Sequence, residues 1–255
     1  MKIAIKTAAE IAAMRTSGRV AARVLEAVCR RVRPGATTRE LEEAAREEMA
    51  RAGAVSAFFG YRGYPAHICV SVNDEVVHGI PGDRTIAAGD VVSIDCGVLL
   101  GGWYGDTART VVAGAGDPTA LRLIRAAEDA LAAAVARAVE GAHVGDLSAA
   151  VQRTVEAAGF SVVREFVGHG IGRGLHEEPQ VPNFGEPGQG PRLCAGMTLA
   201  IEPMVNERGS EVRVDPDGWT VRTCDGGRSA HAEHTLVVGR DAAEVLTERD
   251  GPDVV

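Results

Sequence analysis

No stretch of this 255-residue chain approaches 18 consecutive apolar residues, so the sequence offers no membrane-spanning helix. Its five cysteines (Cys29, Cys69, Cys96, Cys194 and Cys224) are odd in number, scattered and free of any CxxC spacing. That argues against a disulfide framework and against a thiolate zinc module. A basic surplus is missing too: 27 lysines and arginines face 35 acids, for a net charge of −8. Nucleic acid and anionic membranes attract the opposite sign, so neither is an expected partner. The opening MKIAIKTAAEIAAMRTSGR lacks the long apolar core of a secretory leader and reads as a helix of the mature protein. A reducing cytoplasm is the expected location. No linker or low-complexity stretch divides the chain.

What is present suffices for a large core. The chain is 45% hydrophobic and 24% charged, ordinary for one large domain or two closely packed halves. Leu41, Ala45 and Met49 form an apolar stripe, and a shift of 106 positions turns them into Leu147, Val151 and Val155. Gly35 and Gly53 map onto Gly141 and Gly159 at the same offset. At an offset of 107, AGDVVSID maps onto AGMTLAIE, which sets Asp95 on Glu202. Helices are expected over 7–32, 37–52, 117–140 and 145–158. Thr37 with Glu40 reads as a capping box, and Asp146 as a cap for the last helix. Strands are expected over 67–72, 90–99, 103–112, 161–168, 197–205, 211–214, 219–223 and 229–238, separated by Gly- and Asp-rich turns. Runs of helix and runs of strand point to α+β: pseudo-symmetric halves of about 1–113 and 114–247, with a central curved antiparallel sheet under two helix pairs.

Five residues in or beside these strands favour a divalent metal: Asp95, Asp106, His169, Glu202 and Glu233. Within GDVVSIDCGVLLGGWYGDTARTVV, a turn centred between Leu100 and Gly101 sets Asp95 directly opposite Asp106. A turn one residue further along makes them diagonal neighbours on the same face. Two like charges about 4 Å apart cost roughly 4 kcal/mol at an effective dielectric near 20. A cation shared by the carboxylates removes that conflict. Acids with one imidazole make a hard, oxygen-rich donor set suited to Mn²⁺, Fe²⁺, Co²⁺ or similar ions.

Those stretches, together with YRGYPAHICVSVNDEVVHGIP, GHGIGRGLHEEPQVPNF, GMTLAIEPMVN and AHAEHT, resemble methionine aminopeptidases of type I over about residues 3–247. The resemblance implies the pita-bread fold over a single catalytic domain, 1–255, and two divalent ions per chain (Co, Mn, Fe, Zn or Ni). Asp95, Asp106 and Glu233 would hold one ion and Asp106, His169, Glu202 and Glu233 the other. His78 and His176 are implied as substrate contacts with catalytic roles, and Glu202 as the proton shuttle. Phe58, Tyr61, Tyr64, Cys69, Leu175 and Trp219 fall where such enzymes line the methionine pocket. This sequence departs from some relatives at Phe58, Leu175, Gly97 and Ala232, which leaves the pocket shape open.

The implied activity is removal of the initiator methionine from nascent polypeptides with a small second residue, by a monomer whose partners include those N-termini and the ribosome. The nearest alternative is an X-Pro dipeptidase or aminopeptidase on the same fold. A non-catalytic binding pseudoenzyme is the other, though such proteins typically lose ligands and gain basic patches.

Overall fold

The computed structural model describes residues 3–249. In chain order the elements are α1 (Ala8–Cys29), α2 (Thr38–Arg51), β1 (Val55–Ser56), a 3-10 turn (Tyr61–Gly63), β2 (Cys69–Val72), β3 (Glu75–Val77), β4 (Val91–Leu100) and β5 (Trp103–Val112). There follow α3 (Pro118–Val135), α4 (Val144–Ala157), β6 (Ser161–Val162), β7 (Val167–Gly170), β8 (Glu177–Pro182), β9 (Thr198–Ile201) and β10 (Met204–Asn206). The last are β11 (Val212–Val214), β12 (Val221–Thr223), β13 (Ser229–His231), β14 (His234–Val237) and β15 (Glu244–Val245). Every named strand pair is antiparallel, and the class is α+β as expected. Among the described residues no helix is long and apolar enough to cross a membrane.

The internal repeat is physical. α2 and α4 are each 14 residues long and start 106 positions apart, and the same shift carries β1 onto β6. Gly53 and Gly159 follow the two helices with φ of +67° and +84°, the left-handed turn that glycine adopts without a Cβ penalty. α1 and α2 cover β2 and β4 through Val24, Leu25, Val28, Leu41 and Ala45, while α3 and α4 cover β9, β10, β13 and β14 through Leu123, Leu131, Leu147 and Val151. Each helix pair thus buries its apolar stripe on the outer side of its own half.

Caps differ in detail from expectation. The reciprocal capping box forms at Thr7 and Glu10, whereas Thr37 accepts from Glu40 N at 3.3 Å and the Glu40 carboxylate turns toward Arg33. His143 occupies the N-cap of α4, and Asp146 caps from the third position, accepting from His143 N at 2.7 Å. α3 stops at Val135 rather than 140, because Val139 and Glu140 are drawn into a bridge with Gly239.

Three expected strands are broken. The 197–205 run divides at Glu202-Pro203, the 229–238 run at Ala232-Glu233, and the 161–168 run into β6 and β7. Proline has no N–H to give a ladder, so the first break has a chemical origin. The freed backbone groups find other partners: Ala232 N donates to Pro203 O at 3.2 Å within the second half, and Glu233 N donates across the halves to Ala108 O at 3.0 Å. Threonines close the seam, with Thr107 Oγ1 donating to Glu233 O and Thr110 Oγ1 to His231 O, each at 2.8 Å. The sheet is therefore several segments angled around one centre. β1, β3, β8 and β15 were not expected. β8 reads EEPQVP, which carries neither alternation nor β-branched enrichment.

α1 sits unusually close to its neighbours, which explains a glycine inside it. A Cβ at Gly18 would lie 2.4 Å from the Leu246 carbonyl oxygen. Gly18→Ala is expected to destabilise by about 1–3 kcal/mol, the range for overpacking a close contact. Its thermal midpoint should fall accordingly, and an unchanged midpoint would contradict that packing.

Candidate metal centre

β4 and β5 are joined by Gly101-Gly102, both at positive φ (+60° and +79°), the requirement of a tight type I′ hairpin. That turn pairs Leu100 with Trp103, so the register runs Asp95↔Ala108 and Gly97↔Asp106. The directly opposed pairing of the two acids is corrected to the diagonal one. Both carboxylates keep the same face, because residues two apart along a strand point the same way. Cys69 on β2 pairs with Asp95 and brings its thiol to that face.

The second half meets this face with three more donors. His169 lies on β7, with its Nδ1 bonded to Gly170 O at 2.8 Å. A carbonyl can only accept, so Nδ1 carries the hydrogen and Nε2 keeps its lone pair. Nε2 stands 3.5 Å from Glu202 Oε1. Glu202 and Glu233 occupy the two strand breaks, where the chain leaves its ladder and the side chains turn into the centre. Donor atoms of Asp106, His169 and Glu233 all lie within 4.8 Å of one another.

This cluster is costly as it stands. Asp95 Oδ1, Asp106 Oδ1 and Glu233 Oε1 are buried without a hydrogen-bond partner. Such groups each forfeit roughly 1–3 kcal/mol, and more when charged. Burial, then the Asp106 charge, push Asp95 and Glu233 well above the usual carboxylate range, and Glu202 likewise. Burial lifts Asp106 to about 7. Burial and the neighbouring His176 push His169 down to about 3, so its imidazole is neutral. Orphaned carboxylate oxygens beside a neutral imidazole nitrogen are what a hard divalent cation would satisfy. The donor set fits one.

A cavity of about 270 Å³ opens over the cluster. It is lined by every residue expected from the sequence: the five donors, His78, His176, Phe58, Tyr61, Tyr64, Cys69, Leu175 and Trp219. Arg62 and Phe166 also line it, and sequence reasoning passed over both. Arg62 stands inside the YRGYP stretch, which was a usable signal, while Phe166 resembles any apolar strand residue. The Phe58 ring fills the space over Gly97: a Cβ there would lie 2.4 Å from Phe58 Cε1. The two departures from the family pattern are thus sterically coupled.

Two histidines flank the cluster. His78 adopts φ +60°, a left-handed conformation that costs a non-glycine residue of order 1–3 kcal/mol and concentrates at functional sites. It meets Phe166 and Trp219 edge-on, with centroids 5.5 and 6.2 Å away, and burial lowers its pKa to about 4. His176 Nδ1 lies 2.8 Å from the Tyr61 hydroxyl, and its ring centroid is 4.3 Å from that of His169. Burial and the Arg62 charge lower its pKa. The Trp219 ring meets Tyr64 edge-on at 5.1 Å, and the Tyr64 hydroxyl donates to Gly79 O at 3.0 Å. Asp217 accepts from Trp219 N at 2.8 Å and thereby fixes the turn that carries the indole.

Comparison with known proteins gives a consistent picture. The family model of metallopeptidase family M24 matches residues 12–240. The chain is 48% identical to the methionine aminopeptidase of Clostridium perfringens, covering 96% of this chain and 98% of that one. It is 44% identical to methionine aminopeptidase 1 of Bacillus subtilis, over 96% and 99% of the two chains. The crystal structure of methionine aminopeptidase from Thermotoga maritima superposes with a TM-score of 0.96 at 44% identity, covering 97% of this chain and all of that one.

Proposed function

The chain belongs to metallopeptidase family M24, and from that premise we propose that it is a metal-dependent aminopeptidase removing N-terminal methionine from polypeptides. The observation that carries the reading is one cavity in which four carboxylates and an imidazole meet an aromatic, sulfur-lined slot. Its architecture is the α+β, pita-bread arrangement that the resemblance implied.

Asp95, Asp106 and Glu233 would hold one divalent ion, and Asp106, His169, Glu202 and Glu233 a second, with Asp106 and Glu233 shared. Co, Mn, Fe, Zn and Ni all remain open, since ligand type alone leaves the choice to availability. When bound, such ions supply Lewis acidity at the scissile carbonyl and lower the pKa of water in the site toward about 7. The protein's own groups do the rest. Glu202 takes the proton of the attacking water and returns it to the departing amine. His176 donates from Nε2 to the oxygen of the scissile carbonyl as charge develops there. That role needs Nδ1 as an acceptor, and the Tyr61 hydroxyl 2.8 Å away is placed to donate to it. His78 bonds the amide of the second residue. Phe58, Tyr61, Tyr64, Cys69, Leu175 and Trp219 enclose the methionine side chain, whose thioether suits aromatic and sulfur neighbours. A crowded mouth restricts the second residue to small side chains.

In this reading residues 1–255 form one catalytic domain, of which 1–2 and 250–255 lie outside the described residues. It acts as a cytoplasmic monomer on nascent N-termini beginning with methionine, at the ribosome. The net charge of −8 leaves nucleic acid and membranes outside its partners.

Met-Ala-Ser and Ala-Pro peptides, assayed with Mn²⁺, Fe²⁺ and Co²⁺ in turn, test the assignment. Release of methionine with little cleavage of Ala-Pro is expected. Preference for Ala-Pro would instead establish an X-Pro peptidase, and protein that takes up no divalent ion by calorimetry would establish a binding module. His176→Ala is expected to lower kcat by about 10²–10³, the loss seen when one oxyanion donor is removed. A change confined to KM would reassign His176 to substrate binding alone.

A further inference from the structure

His231 is 2% exposed, and its Nε2 is buried without a hydrogen-bond partner. Its backbone is clamped on both sides, since His231 N donates to Thr110 Oγ1 and Thr110 Oγ1 donates to His231 O, each at 2.8 Å. It pairs with Met204 across the β10–β13 ladder, two residues beyond Glu202. The backbone that carries the ring is thereby fastened to the seam between the halves. From there Nε2 faces Glu202 Oε2 at 3.9 Å. A buried imidazole nitrogen with nothing to bond is rare in a folded protein and asks for a partner. Glu202 is the acid facing it, and the last torsion of a glutamate is soft, so a small carboxylate rotation closes the gap.

We propose that His231 is a positioning residue for Glu202: its Nε2–H donates to Glu202 Oε2 and leaves Oε1 directed toward His169. His231 touches neither substrate nor ion. It acts by holding one carboxylate oxygen, so that the other meets the cluster and the shuttled proton in a single orientation. The role rests on the assignment of Glu202 made above. Outer partners of ligating carboxylates typically matter by about 10–100-fold in metal affinity or activity.

Three variants test it in two assays, Mn²⁺ calorimetry on metal-stripped protein and kinetics on Met-Ala-Ser. His231→Gln places an amide nitrogen near the position of Nε2, His231→Asn places one too short to reach, and His231→Leu fills the space without a donor. The leucine and asparagine variants should lose about 10–100-fold in kcat with KM little changed and bind Mn²⁺ more weakly, while the glutamine variant recovers both to within about 3-fold. Wild-type kcat and Mn²⁺ affinity in the leucine or asparagine variant would overturn the proposal. So would a glutamine variant as impaired as the leucine one at an unchanged thermal midpoint, because shape rather than the N–H would then matter. Should the leucine variant not fold, the asparagine–glutamine pair makes the same comparison. If the wild-type protein cleaves no methionyl peptide, the peptidase reading fails by itself, and the calorimetric comparison still decides the part played by His231.

Discussion

Replacing Asp106 by alanine is expected to lower turnover of Met-Ala-Ser by at least about 10³-fold, and metal-supplemented buffer should not restore it. Asp106 sits where the two halves meet: its backbone N–H donates to Thr235 Oγ1 at 3.0 Å, and its Oδ1 is buried without a partner. After burial, its charge is the next cause that raises the pKa values of Asp95, Glu202 and Glu233. In the proposed arrangement it is shared between two ions, so one substitution damages both sites. Loss of metal-centred charge stabilisation costs several kcal/mol, and each 1.36 kcal/mol is tenfold in rate. Calorimetry on Asp106→Ala should register fewer than two Mn²⁺ ions per chain. A variant with wild-type turnover and full metal uptake would dissolve the assignment of the centre.

The second large effect is thermal. Metal-stripped protein is expected to lose stability as pH rises from 6.5 to 8, and added Mn²⁺ should raise its midpoint by an increment that grows over the same interval. The direction follows from proton counting. Asp95, Asp106, Glu202 and Glu233 have folded pKa values above their unfolded ones, so the native state holds extra protons and is destabilised as pH climbs through the folded values, about 7 for Asp106. The buried histidines act the other way. His78 at about 4, and His169, His231 and His234 at about 3, withdraw stability as pH falls below about 6.5, which is why the carboxylate effect stands alone only above that value. Metal ligands must be deprotonated, so binding competes with those protons and gains as they leave. At an excess of about 100 times Kd, each ion adds about 2.7 kcal/mol. For a chain of this length that corresponds to roughly 5–10 °C. A midpoint in chelator that stays flat or rises between pH 6.5 and 8 would mean the acids are not held together as described.

Much of this was written locally. The stripe Leu41, Ala45, Met49 and its copy at Leu147, Val151, Val155 predicted both covering helices, since 3.6-residue periodicity needs no distant partner to be visible. The glycine pair at 101–102 restricted β4 and β5 to a tight hairpin, and either register kept Asp95 and Asp106 on one face. Elements that depend on distant pairing were silent. The break at Ala232-Glu233 has no periodic signature, because what defines it is backbone bonding to Pro203 and Ala108, while β8 and β15 pair with the nearby β7 and β14 but are too irregular or too short to show an alternation. Phe166 and His231 resembled core residues for the same reason: only the arrival of the other half makes one a cavity wall and the other a buried, unbonded imidazole.

The sequence by itself determined the donor chemistry, the two helix pairs, the hairpin and the family likeness, because residue type, short-range spacing and periodicity carry that information. Tertiary structure alone decided that Glu202 and Glu233 stand at strand breaks, that Phe58 packs over Gly97, and that His231 faces Glu202. Those outcomes rest on contacts between residues well separated in the chain, 29 positions for His231 and Glu202, 39 for Phe58 and Gly97 and 125 for Glu233 and Ala108, and contacts at such separations leave no mark on the pattern around either partner.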